Sequence, residues 1–141
     1  MKVRVETVED VKDKLKQACE VHKSLPQVRL KDSRICILGF IIPSHLWSSD
    51  AEDMKEVSPK IDVDEHWYIF DNWFKGLDRR EKLIVLFKSF GIGNKRIEWI
   101  LKENYCINAC RATIWNIFNK AILKIFNNAR WRKLLLTVCG L

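Results

Sequence analysis

Between residues 62 and 127 the chain divides itself into helices. Asp62 stands three residues ahead of Glu65, and Asp78 three ahead of Glu81. At that spacing an N-cap side chain and a later carboxylate satisfy each other's backbone donors. Gly76 and the Gly91-Ile92-Gly93 break stop what these pairs start. The spacing predicts a helix over 63–75, with Trp67, Phe70, Trp73 and Phe74 as its apolar stripe. A second starts after Asp78, with Leu83, Ile84, Leu86, Phe87 and Phe90 inward. Asn94 caps a third over 94–103, with Ile97, Ile100 and Leu101 inward. Asn104 to Ile107 turns the chain, and Asn108 caps a long helix to Asn127. Ile114, Phe118, Ala121, Ile122, Ile125 and Ala129 share one face of it. A short further helix follows through Arg130-Trp131-Arg132-Lys133. Helices this short are marginal alone and must bury their stripes against one another. The expected fold class is therefore all-α, a small helical domain.

The first element is also a helix. Thr7 with Asp10 opens it, and Val8, Val11, Leu15, Ala18 and either Cys19 or His22 follow at helical spacing. Leu25-Pro26 ends it. Residues 26–61 are expected to be irregular. The apolar run from Arg34 to Ile42 has no clean period, so it reads as a short strand or a buried extended segment. Ser48 to Lys60 reads as a loop with one helical turn after Ser49. The domain division expected is 1–61, a helix plus an irregular acidic linker, and 62–141, a helical domain. One continuous domain is the alternative.

Charge is unevenly placed. The chain of 141 residues carries a formal net charge of +7. Residues 1–76 hold 12 basic and 14 acidic side chains, net −2; residues 77–141 hold 13 and 4, net +9. Beyond Asn104 there is no acid. A C-terminal half built this way suits a polyanion. Asp50 to Asp71, with 8 acids and 2 lysines, forms a negative stretch beside it.

Other classes fit poorly. No apolar run approaches the roughly 18 residues of a membrane-spanning helix. The N-terminal residues lack the apolar core of a signal peptide. Five cysteines without paired spacing argue against a secreted disulfide framework, so a cytoplasmic protein is expected. Cys19-x-x-His22 and Cys106-x-x-x-Cys110 have no second half at zinc-site spacing, so no metal is expected and buried thiols are the better reading. Asp62, Asp64 and Glu65 are explained by helix capping. His66 reads as a helix-surface residue. Gly91-Ile92-Gly93 lacks the following Lys-Ser or Lys-Thr of a phosphate loop. No catalytic residues are legible. The chain is expected to be no enzyme and to use no cofactor.

Residues 77–126 read as helix, glycine break, short helix, turn and long basic helix, the layout of a helix-turn-helix. A helix entering the major groove needs a polar, basic outer face and an aliphatic underside. The helix from Asn108 meets both needs. Arg111 suits guanine, and Asn116 and Asn119 suit adenine or phosphate. Lys95, Arg96, Lys120 and Lys124 suit phosphates, and Asn108 sits at the dipole end that favours them. Arg130, Arg132 and Lys133 either grip phosphates too or form a solvated helix end. Trp115 reads as packing on Trp99 or Phe118 rather than as a wedge. Leu134 to Leu136 read as docking on the first helix rather than as an oligomer contact.

Leu77-Asp78-Arg79-Arg80-Glu81, and later Thr113-Ile114-Trp115 followed by Lys120-Ala121-Ile122, resemble the region-4 domain of sigma-70-type factors. Over most of its length the chain resembles a family of short, phage-associated bacterial proteins with a C-terminal sigma-like helix-turn-helix. The matching residues are Thr7-Val8-Glu9-Asp10-Val11, Leu25-Pro26, the aromatic stretch Trp67 to Phe74, Asp78-Arg79-Arg80 and Thr113-Ile114-Trp115. The resemblance implies DNA binding but not promoter recognition as such. The expected function is a sequence-specific binder of double-stranded DNA, a transcriptional regulator of phage or mobile-element type, with RNA polymerase or a second copy of the chain as further partners. The alternatives are a protein–protein adaptor docking through the basic helical face, and a packaging or replication subunit using the same module. Between Ile97 and Thr113 the chain is longer than the sigma-like pattern. Either the turn around Tyr105 is enlarged or the recognition helix starts a turn early.

Overall fold

The computed structural model describes residues 5–28, 30, 34–43, 46 and 61–138, with 130–138 described as helical backbone alone. The protein is mainly helical, and the described residues include one two-stranded sheet. In chain order come α1 (Val8–Ser24), a 3-10 turn (Pro26–Val28), β1 (Ile35–Ile37), β2 (Phe40–Ile42), α2 (Val63–Asn72), α3 (Arg79–Ser89), α4 (Asn94–Tyr105) and α5 (Arg111–Val138).

α1 starts on a complete capping box. Thr7 Oγ1 accepts from the Asp10 N–H at 3.2 Å, and Asp10 accepts from the Thr7 N–H at 2.9 Å. Its buried face is Val11, Leu15, Ala18, Cys19, Val21 and His22, so both Cys19 and His22 point inward. Full burial pushes the Cys19 thiol up to about 12, leaving it an inert core group.

The segment 34–42 is a hairpin. β1 and β2 pair antiparallel, with Ile35 opposite Ile42 and Ile37 opposite Phe40. Leu38 and Gly39 form the two-residue turn with φ of 53° and 82°, the twist that suits a tight hairpin. Ile35, Ile37 and Ile42 are buried while Cys36 and Ile41 face out. The irregular reading of residues 26–61 is corrected to this extent. The apolar run showed no period because the two-residue turn shifts its alternation. The expected loop over 48–60 lies outside the described residues.

Asp62 caps α2 by accepting from the Glu65 N–H at 2.8 Å. Glu65 does not close the box; its carboxylate reaches Lys14 of α1 at 3.3 Å instead. α2 ends at Asn72, and turns carry the chain to Gly76 at φ 86°. His66 is fully buried, contrary to the surface position expected of it, because α1 covers that side of α2.

α3 is the centre of the molecule. Asp78 and Glu81 form the expected reciprocal box. Leu83, Ile84, Val85, Leu86 and Phe87 are all fully buried, so the middle of this helix is covered on every side rather than striped. α1 and α5 pack on it, and α4 joins it after the break. Each of these side chains contributes about 1.5–3 kcal/mol by leaving water. Tyr105, at the end of α4, sits between Phe87 of α3 and Phe40 of β2, at ring distances of 6.0 and 6.5 Å. That contact ties the hairpin to the end of α4.

Candidate nucleic-acid interface

α4, the helix expected to support the recognition helix, buries Ile97, Ile100 and Leu101 completely. It starts on Gly93 rather than Asn94, and no side chain caps it. Asn94 is its first helical residue, and the Asn94 Oδ1 is buried without a partner. At about 100° per residue, Lys95, Trp99 and Lys102 fall opposite the buried line. All three are exposed, Trp99 at 58%.

α4 runs to Tyr105, two residues past the expected 103. Cys106 then takes a left-handed conformation at φ 55° and ψ 34°, and the Ile107 N–H closes the helix end onto the Leu101 carbonyl at 2.9 Å. The long helix begins at Arg111, not after Asn108. The Ile114 N–H donates to the Cys110 carbonyl at 2.9 Å, so Cys110 holds the position ahead of the helix. Its Sγ lies 3.1 Å from Thr113 Oγ1. Hydrogen bonding from Thr113, side chain and backbone, holds this exposed thiol below its ordinary value. Asn108 is exposed in the connection itself, where it lines a small cleft of about 300 Å³ with Glu98, Lys102, Ala109 and Cys110. α4 is therefore longer than expected and α5 starts later than expected, not earlier. α5 continues unbroken to Val138, so the basic tail is its last part and not a separate helix.

α5 buries Ile114, Ala121, Ile122 and Ile125. Its outward line runs through Ala112, Asn116, Asn119 and Leu123; Asn119 is half-buried and the others are exposed. Arg111 and Trp115 lie along one edge of that line, Lys120 and Lys124 along the other. Trp115 is 59% exposed and does not pack into the core as expected. At about 100° per residue it falls to one side of Ile114, Ala121 and Ile125, the line that faces the core.

Two expected contact residues have protein partners. Arg111 Nε stands 3.5 Å from Glu98 Oε2, both ends being exposed. Such a surface pair is worth about 0–1 kcal/mol and yields readily to another anion. Lys124 Nζ stands 3.0 and 3.2 Å from the two oxygens of Glu81, whose residue is only 8% exposed. That cation neutralises a nearly buried carboxylate. Lys95, Arg96, Asn116 and Lys120 are exposed, and Arg96 has further interactions of its own. The side chains of Arg130, Arg132 and Lys133, and those of Leu134 to Leu136, lie outside the described residues. Sequence reasoning missed Trp99 and Lys102 as surface groups, although the period of α4 places both opposite its core line.

Among the described residues no group of three or more His, Cys, Asp or Glu is placed to hold a metal ion, and no helix is long and apolar enough to cross a membrane. Comparison with protein-family models, with curated proteins and with solved structures returned no match for this chain.

Proposed function

We propose that the protein binds double-stranded DNA through α4 and α5 as a helix-turn-helix, with the first turns of α5 in the major groove, and acts as a regulator of transcription. One observation carries the reading. Two helices joined by the short connection 106–110 have fully buried aliphatic undersides, and their outer faces bear Lys95, Arg96, Lys102, Ala112, Asn116 and Lys120. Small Ala112 leaves room for close approach. Arg111 and Asn116 would read base edges; Lys95, Arg96, Lys102 and Lys120 would meet phosphates. Lys124 serves Glu81 first and contributes least.

Exposed Trp99, Trp115 and Leu123 favour a second reading, an adaptor that docks a protein on the same face. Gel shifts at low salt on a random duplex pool, followed by selection of the bound fraction, test the first reading. An enriched sequence supports it, and the absence of any shifted duplex would sink it. Arg111→Ala combined with Lys120→Ala separates the two. Loss of duplex affinity fits the first reading; loss of a protein partner with duplex affinity intact fits the second.

A further inference from the structure

Three ammonium groups from two helices meet at one cleft. Lys12 and Lys16 of α1 and Lys88 of α3 line it, together with Ser89, the Gly91-Ile92-Gly93 turn and Phe118 of α5. Its volume is about 340 Å³, and no carboxylate lines it. Lys12 Nζ stands 5.7 Å and Lys88 Nζ 5.5 Å from the centre of the Phe118 ring, whose π face attracts both cations. Lys12 also reaches Glu9 at 3.4 Å, but that carboxylate is 77% exposed and stands outside the cleft wall. Burial, and then the charges of Lys12 and Lys16, hold the Lys88 ammonium below its ordinary value. Like charges gathered this way oppose folding, and a single aromatic ring offsets them only in part.

The start of α4 adds a second attraction for anions. Gly93 lines the cleft and is the residue from which α4 starts, and no side chain caps that helix of 12 residues. The positive end of that helix's dipole is therefore not offset by a capping side chain. Three cations around one concavity, with the positive end of a helix dipole at its wall, suit a compact, multiply charged oxyanion.

We propose that this cleft binds a phosphate group, and that the group is a backbone phosphate of the duplex engaged by α5; the second half rests on the DNA reading above. α1, which lies outside the helix-turn-helix, becomes part of the interface. The cleft adjoins the helix-turn-helix at Gly93, where α4 starts.

Gly93→Asp tests this with every lysine left in place. Gly93 has an ordinary extended backbone, φ −72° and ψ 157°, and an added Cβ meets nothing within 4 Å. An aspartate there caps α4 and places a negative charge at the cleft wall. Inorganic pyrophosphate is titrated into wild type and variant, with amide shifts read by NMR, and a duplex is titrated in parallel by anisotropy. The wild type should give saturable shifts at Gly91 to Lys95, and Gly93→Asp should abolish them and weaken duplex binding about tenfold. Lys16→Gln with Lys88→Gln should do the same, which covers a folding defect in the first variant. A wild type without saturable pyrophosphate shifts overturns the site. Pyrophosphate binding lost with duplex affinity unchanged overturns the backbone assignment and points to a free phosphate compound. Pyrophosphate binding without any duplex binding supports the cleft and refutes the DNA reading separately.

Discussion

The Nδ1 atom of His22 lies 2.7 Å from Nε2 of His66, and both rings are buried between α1 and α2. His22 Nε2 is 2.7 Å from the Cys36 carbonyl oxygen, and His66 Nδ1 is 3.1 Å from that of Val63. Two neutral imidazoles carry one N–H each, so two protons serve three contacts. His66 donating to His22, and His22 donating to Cys36, uses both. The longest contact, to Val63, is then left without a hydrogen. The pair links α1, α2 and the hairpin through side chains that neighbouring Trp67 and Phe70 shield edge-on.

Stability should fall in mild acid. Burial, the largest cause, holds His66 down to about 4 and His22 below its ordinary value. Unfolded imidazoles titrate near pH 6.5. Between that pH and about 4 the unfolded chain binds more protons, so stability present at neutral pH is lost as pH falls through this window. His66 alone accounts for a loss on the order of 2 kcal/mol at about pH 5. Urea unfolding followed by circular dichroism should show it, and His66→Gln should flatten the dependence. Equal stability at neutral pH and about pH 5 would exclude the effect.

Glu81 joins two elements. It accepts from the Asp78 N–H at 3.2 Å to start α3 and holds Lys124 of α5 at 3.0 Å. Glu81→Ala should cost about 2 kcal/mol, since it removes a cap contact and a charge-assisted bond together. Lys124→Ala should change duplex affinity less than Lys120→Ala does. The latter should weaken binding uniformly across sequences and lower the salt slope by about 1.

Cys106 is exposed and left-handed at the end of α4. A side chain in that conformation costs about 1–2 kcal/mol relative to glycine. Cys106→Gly should therefore stabilise the protein by about 1 kcal/mol, raising the melting temperature by roughly 3 °C in a thermal scan. A lowered melting temperature would mean that the cysteine side chain makes a stabilising contact.

Trp99 and Trp115 stand on the outer faces of α4 and α5. Trp115→Ala should change stability by no more than about 0.5 kcal/mol, as expected of a surface site. A loss of several kcal/mol in urea unfolding would return Trp115 to the core.

Much of this fold was legible in the sequence because capping chemistry is local. Thr7 with Asp10 and Asp78 with Glu81 form complete boxes, and the inward residues of α4 and α5 follow from periodicity. What failed depended on neighbours. Glu65 left its box for Lys14, and α1 covered His66. The start of α5 moved from Asn108 to Arg111, where the unusual cap Cys110 offers little sequence signal. For the site, exposure of Lys95, Asn116 and Lys120 follows from helical period. That Lys124 meets Glu81, and that Lys12 and Lys16 meet Lys88, depends on how α1, α3 and α5 pack. No local pattern encodes that packing.

The most direct test of the central claim is the affinity of the protein for a duplex measured by anisotropy across salt concentration. The four phosphate-facing side chains and the cleft phosphate predict that log affinity falls against log salt with a slope of about −4.5. A slope near zero, or no binding at low salt, would contradict the account.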